Sequence, residues 1–266
     1  MGNYIRPTAK SQQPKAKINL GLRILERLPN GYHRLETLMF PLEAPADNLV
    51  ITAHDEDACH LQMTGRPIDG NMADNLVVRA WKALKEVYPA VAGVNIVLAK
   101  RIPAGAGLGG GSADAAATLA GLNAFFDLGA STEALAAIGA KLGSDIPFFL
   151  YQKPMLATGT GTELEPFELD LSGYRIVLLS PPIHSSTVGA YQALDPKDFN
   201  PQANLAEVLR LPVSEWKDNL INDLEKPIFQ KYPKLSRLKA ELYAQGAVYA
   251  AMSGSGSSVF GLFERK

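Results

Sequence analysis

The chain has 266 residues, 47% hydrophobic and 20% charged, enough for one large or two small domains with well-filled cores. Its 26 Lys and Arg nearly balance 27 Asp and Glu, so it lacks the basic surplus that neutralises phosphates along a nucleic acid, and such binding is not expected as its main activity. Cys59 is the single cysteine, which rules out an intramolecular disulfide and suits a reducing, cytoplasmic setting. No apolar run reaches the roughly 18 residues of a membrane span. The polar start lacks the apolar stretch of a secretory signal, and Arg6 stands where N-myristoylation takes Ser or Thr.

Residues 1–14 read as a loose tail. From 15 to 25 the pattern alternates: Ala16, Ile18, Leu20, Leu22 and Ile24 share one face, while Lys17, Asn19, Gly21 and Arg23 share the other. That is a strand with one buried face. Asn30-Gly31 marks a tight turn, residues 32–42 return as a second strand, and residues 49–55 continue the run. The segment His54-Asp55-Glu56-Asp57-Ala58-Cys59-His60 holds every favoured metal-ligand type but not the spacing of a zinc site, so it reads as an acidic edge loop. Residues 75–87 form an amphipathic helix, and residues 94–102 a strand that runs into a glycine-rich loop. A helix over 112–126 is expected next, capped by Ser112, with Ala115, Leu119, Leu122 and Phe126 on its buried stripe. A second helix spans 131–142 and stops at Gly143, and residues 144–150 lead into a strand-rich stretch. The pattern restarts near residue 170 with a strand over 174–182. Helices near 202–210, 218–229 and 233–245 and strands over 247–254 and 257–264 complete it. The sum is an α+β protein of two lobes, 15–170 and 171–266.

The loop Pro103-Ala104-Gly105-Ala106-Gly107-Leu108-Gly109-Gly110-Gly111-Ser112 carries five glycines between a strand and a helix. Backbone N–H groups there can approach phosphate oxygens closely, and a helix N-terminus adds partial positive charge. A bare crossover turn is the alternative, but five glycines cost more chain entropy than a simple turn requires. The Walker A pattern fails because no lysine follows Gly110. Gly105, Gly107 and Gly110 match a dinucleotide fingerprint, yet Asp127 leads into another helix and not into the second parallel strand an oxidoreductase of that kind requires. The protein-kinase motifs and the GxSxG nucleophile elbow are absent.

These residues resemble the GHMP kinase superfamily, whose loop reads Pro-x-x-x-Gly-Leu-Gly-Ser-Ser; here it is Pro103 through Gly107-Leu108-Gly109 to Ser112. Supporting segments at 14–22, 30–42, 74–80, 141–150 and 252–263 follow in the family order, and the likeness spans residues 15–263, nearly the whole chain. The resemblance implies a two-lobed fold, the N-terminal lobe like ribosomal protein S5 domain 2 and the C-terminal lobe ferredoxin-like. It implies ATP and Mg²⁺ as cofactors, with magnesium ligands unassigned. The implied acceptor is a small molecule, the cytidine-diphosphate methylerythritol of non-mevalonate isoprenoid synthesis, with mevalonate- or homoserine-type acceptors as the alternative. No membrane and no obligate protein partner is implied.

Carried over residue by residue, the resemblance makes Lys17 the stabiliser of charge on the transferring phosphoryl and Asp145 the base that takes the acceptor's proton. Asn75 and Lys100 fall near the ATP nucleoside, and residues Pro103 to Ser112 with Ala113 around the phosphates. Asn19 would hold a phosphate. Tyr32 would stack on the cytosine and His33 read its edge, while Tyr191 would supply a second ring and Thr187 a nearby contact. The turn 253–258 would back the phosphate loop. Ala113 replaces the family's second serine, which removes one possible hydroxyl contact.

Overall fold

Backbone pairing between distant segments organises the fold. The computed structural model describes residues 8–67 and 70–265, and the chain forms two compact units, each assembled from separate stretches. One gathers residues up to 16 with 41–104 and 109–152; the other gathers 17–40, 105–108 and 153 onward. This division follows packing, and the sequence boundary near 170 lies inside the second unit.

In chain order the first part of the molecule holds β1 (Ala9–Gln12), β2 (Lys15–Arg27), β3 (His33–Ala46), β4 (Asn48–Ala53) and β5 (Cys59–Gly65). Then come α1 (Leu76–Val87), β6 (Val94–Lys100), α2 (Gly110–Phe125), α3 (Thr132–Ala140) and α4 (Ile146–Tyr151). The sheet of the first unit has the order β1-β4-β6-β5. Within it β4 is antiparallel to both neighbours, and β5 runs parallel to β6 from Cys59↔Val94 to Gly65↔Lys100.

Two expectations are corrected here. The second half of the expected tail is strand β1, paired from Ala9↔Thr52 to Gln12↔Leu49, because the open edge of β4 supplies backbone partners that no side-chain pattern advertises. Residues 1–7 of that expectation lie outside the described residues. The second correction concerns the acidic edge loop, which ends earlier than expected: Cys59 and His60 already belong to β5. On this sheet Leu49, Ile51, Ile96 and Leu98 meet Val77, Trp81 and Leu84 of α1 and Leu119, Leu122 and Phe125 of α2. Burying each such side chain stabilises by about 1.5–3 kcal/mol. The short α4, with Pro147 in its first turn, is a helix that the sequence pattern does not single out.

The second unit contains most of β2 and β3, joined by β7 (Met155–Thr158) and β8 (Glu163–Pro166) in a sheet of order β2-β3-β7-β8. Beyond it lie β9 (Tyr174–Leu179), α5 (Thr187–Gln192), α6 (Leu205–Leu209), α7 (Trp216–Asn219), α8 (Glu225–Lys231), α9 (Pro233–Ala244), β10 (Tyr249–Met252) and β11 (Val259–Glu264). Strands β10, β11 and β9 form an antiparallel sheet in that order. Its core joins Leu22, Ile24 and Leu35 to Leu224, Ile228, Leu235, Leu242, Met252 and Val259.

The helix expected over 218–229 is two helices, α7 and α8. Between them Asn222 donates to the carbonyls of Met252 and Gly254, each at 2.8 Å, and the Asp223 carboxylate accepts from the Ile24 N–H at 2.7 Å. These tertiary bonds replace the intrahelical ones. No helix among the described residues is long and apolar enough to cross a membrane.

Candidate active site

The chain leaves β6 at Lys100, passes through the glycine loop and enters α2 at Gly110. The residue before the helix is Gly109, left-handed at φ +71°, and no side chain caps it. Ser112, expected as the cap, lies inside the first turn: the helix starts earlier because only a glycine enters that backbone conformation cheaply. An N-terminus without a side-chain cap keeps its first N–H groups for an anion.

The centre of the loop is pressed against the turn at 253–258. Gly107 has φ +74°, and a Cβ there would lie 2.0 Å from the Ser253 carbonyl oxygen. Ser253 Oγ donates to the Gly107 carbonyl at 2.8 Å, and the Ser258 N–H donates to the Ala106 carbonyl at 3.1 Å. In a trans peptide the carbonyl and the following N–H point opposite ways, so this anchoring turns the N–H groups of Gly107 and Leu108 away from the turn. The backing role expected for residues 253–258 is what these bonds provide.

Lys17 and Asn19 are 4% and 3% exposed, so the polar face of β2 is buried and not solvated. Lys17 Nζ donates to Asn19 Oδ1 at 2.5 Å and to the Gly107 carbonyl at 3.2 Å. Asn19 Nδ2 donates to Thr37 Oγ1 at 2.9 Å, and the Asn19 N–H donates to Ser253 Oγ at 3.2 Å. Asn19 therefore orients the Lys17 ammonium at the loop centre. A Cβ on Gly254 would come within 3.0 Å of Asn19 Oδ1, so glycine is needed there too.

In the first unit Asp145 is half-buried at the start of α4, with Ser144 Oγ donating to it at 3.4 Å. Ala113 is buried in α2, and Pro103, Ala104, Gly105, Gly111 and Ser112 are at least partly open. Asn75 caps α1, its Oδ1 accepting from the Val77 N–H at 3.0 Å. The Lys100 ammonium is enclosed by Asp47 and Asp114 and donates to the latter at 2.6 Å. Lys100 thus ties the strand before the loop to the helix after it. Away from it, His54, Glu56 and His60 each bring a donor atom within 4.8 Å of the others, a grouping that residue spacing did not signal; His60 Nε2 stands 3.4 Å from the Glu56 carboxylate.

The hairpin places Tyr32 at its tip, 66% exposed. Next to it the His33 ring lies 5.3 Å from Tyr191 and 5.7 Å from Phe199, the latter edge-on at 88°. Phe199 is a member that sequence reasoning missed; it sits in a loop after a single 3-10 turn, where no periodicity marks it. Burial, and to a lesser degree the Arg27 charge, hold the His33 imidazole below the ordinary histidine value. Thr187 Oγ1 meets Ser255 Oγ at 2.9 Å, which links the start of α5 to the turn.

Residues 75–153 match the family described as GHMP kinases N terminal domain, and residues 202–266 the one described as GHMP kinases C terminal. The chain is 47% identical over 252 residues to the 4-diphosphocytidyl-2-C-methyl-D-erythritol kinase of Parabacteroides distasonis, covering 95% of this chain and 91% of that protein. A solved 4-(cytidine 5'-diphospho)-2C-methyl-D-erythritol kinase superposes with a TM-score of 0.80 at 35% identity, over 95% of this chain and 89% of that one. A homoserine kinase from Cytophaga hutchinsonii superposes at 0.73 with 15% identity, over 100% and 88%, a likeness of fold alone. A glycine loop that presents backbone N–H groups, an uncapped helix behind it and these matches lead to one conclusion: the chain belongs to the GHMP kinase family.

Proposed function

We propose that the chain transfers the γ-phosphoryl group of ATP to the 2-hydroxyl of 4-diphosphocytidyl-2-C-methyl-D-erythritol. The observation that carries the acceptor assignment is the 47% identity, over 95% of the chain, with a kinase named for that compound. The exposed Tyr32 beside His33, Tyr191 and Phe199 supports it, since a base needs a ring face to stack on.

Phosphoryl transfer asks the protein mainly for positioning and charge stabilisation. The N–H groups of the loop and of the α2 terminus hold the phosphates, and the Lys17 ammonium, set by Asn19, stabilises charge on the transferring group. Asp145 takes the hydroxyl proton as the acceptor oxygen bonds to the γ-phosphorus. The bond from that phosphorus to the bridging oxygen breaks, and ADP leaves with its electron pair. Mg²⁺ neutralises phosphate charge in such reactions, and Ser112 Oγ offers a hard oxygen of the kind it takes. Tyr32 stacks on the cytosine, His33 reads its edge, and Tyr191 and Thr187 complete the acceptor side.

The test is turnover of ATP by the purified chain with a panel of acceptors. The cytidine compound should be converted to its 2-phosphate. Efficient phosphorylation of mevalonate or homoserine, with none of the cytidine compound, would overturn the reading in favour of the other GHMP activities.

A further inference from the structure

The strand before the phosphate loop and the helix after it are tied by a buried ionic network. Lys100, the last residue of β6, donates to Asp114 Oδ2 at 2.6 Å and also to Asp47 Oδ2. Asp114 lies on the buried face of α2, one turn beyond the helix start. The other oxygen of Asp47 accepts the N–H groups of Arg101 and Ile102, the latter at 2.8 Å. All three side chains are at most 3% exposed. The loop ends also touch directly, because a Cβ on Gly110 would sit 2.8 Å from Ile102 Cγ2 and 3.4 Å from Lys100 Nζ.

The network is an expensive way to gain stability. Two carboxylates share one ammonium away from water, and Asp114 Oδ1 has no hydrogen-bond partner. Apolar residues of similar volume commonly serve a fold as well as a buried ion pair does, so stability alone does not account for these three. What the network supplies is geometry. It fixes the first turn of α2, whose N–H groups face the anion, relative to the last residues of β6.

Resting on the kinase reading above, we propose that Asp47, Lys100 and Asp114 form a clamp that sets the span of the phosphate loop, with Asp114 a positioning residue for ATP. It acts through Lys100 and the helix start and touches no substrate. An error of about 1 Å in such a frame can cost about 100-fold in rate.

The test uses the full chain and equilibrium titration with a non-hydrolysable ATP analogue in the absence of acceptor, alongside thermal melting and steady-state kinetics. Asp114→Asn keeps the side-chain shape and loses the charge. It should weaken analogue binding and raise KM for ATP by at least about tenfold, and leave KM for the acceptor within about twofold. The triple variant D47N/K100M/D114L removes all three charges, keeps an oxygen for the Arg101 and Ile102 N–H groups, and should recover the melting temperature but not the analogue affinity. It also keeps the proposal open to refutation if Asp114→Asn fails to fold. Wild-type analogue affinity in either folded variant, or recovery of affinity together with stability in the triple variant, would show the network to be structural only and overturn the clamp. Absence of analogue binding by the wild-type chain would instead overturn the kinase reading, and the clamp with it. A wrong acceptor would leave the titration untouched.

Discussion

The glycine loop and the aromatic hairpin are opposite kinds of surface. From Gly105 to Gly109 the chain offers backbone, with glycines at left-handed φ and one of them within 2.0 Å, at its virtual Cβ, of a neighbouring carbonyl. At 32–33 the chain offers rings, one of them 66% exposed and another gathered with Tyr191 and Phe199. In the loop every added atom is an intrusion. At the hairpin every removed atom is a loss. Substitutions should therefore act by different routes, through ATP and geometry at the first and through acceptor affinity at the second.

The largest effect belongs to neither region and sets the scale for both. Asp145→Asn keeps the shape of the proposed proton acceptor but not its basicity, and positioned acid–base groups contribute about 10²–10⁴-fold. Single-turnover transfer at saturating substrates should fall by at least the lower bound with both KM values little moved. Near-wild-type rates would assign Asp145 a structural role only.

Gly107→Val comes next. Left-handed backbone costs an L-residue about 1–2 kcal/mol even without a clash, and here the Cβ would also strike the Ser253 carbonyl. ATP-dependent turnover should drop by about 100-fold while circular dichroism stays native. Retention of wild-type KM for ATP in the folded variant would break the contrast, because the loop would then tolerate a side chain.

Tyr32→Ala should act through the acceptor. Base–aromatic stacking is worth about 1–3 kcal/mol, which corresponds to a rise of about 5- to 150-fold in acceptor KM with KM for ATP unchanged. An equal rise in both would mean that the hairpin and the loop do not divide the labour as described.

The smallest effect is a pH dependence. His33 is held below its unfolded value by burial, with Arg27 adding to it, so the neutral ring is the folded form. As pH falls through the unfolded value the denatured chain binds the proton first. The stability associated with His33 is therefore complete above that value and is lost as pH falls toward the folded one. Acceptor KM should rise a few-fold over the same acidic window, and His33→Asn should flatten that limb of the profile. A His33→Asn variant whose acceptor KM follows the wild-type value at every pH would remove His33 from the acceptor site.

Much of this was legible in residue order. The alternation from Ala16 to Ile24 placed Lys17 and Asn19 on one face of a strand, and the five glycines marked a loop between strand and helix. What misled was local reasoning about ends and edges. Ser112 is a good cap by type, but Gly109 can reach the left-handed conformation and starts the helix sooner. Residues 218–229 have helical character, yet Asn222 and Asp223 find partners on β10 and β2 that outcompete the helix. β1 carries no apolar signal because an edge strand is recruited by the unpaired backbone of its neighbour.

Sequence by itself determined the glycine loop without a Walker lysine and the lysine on the polar face of a strand, while the kinase reaction and the role of Asp145 rested on the resemblance to the GHMP kinases. Only the tertiary structure decided which of two buried lysines serves the loop centre and which serves its ends. Lys17 donates to Asn19 and to the loop carbonyl of Gly107, whereas Lys100 is enclosed by Asp47 and Asp114. The two share a type and nearly equal burial, 4% and 3%. Asn19 apart, their partners lie 14 to 90 residues away in the chain, and an ammonium's role follows from the charges and dipoles that surround it, which only packing brings together.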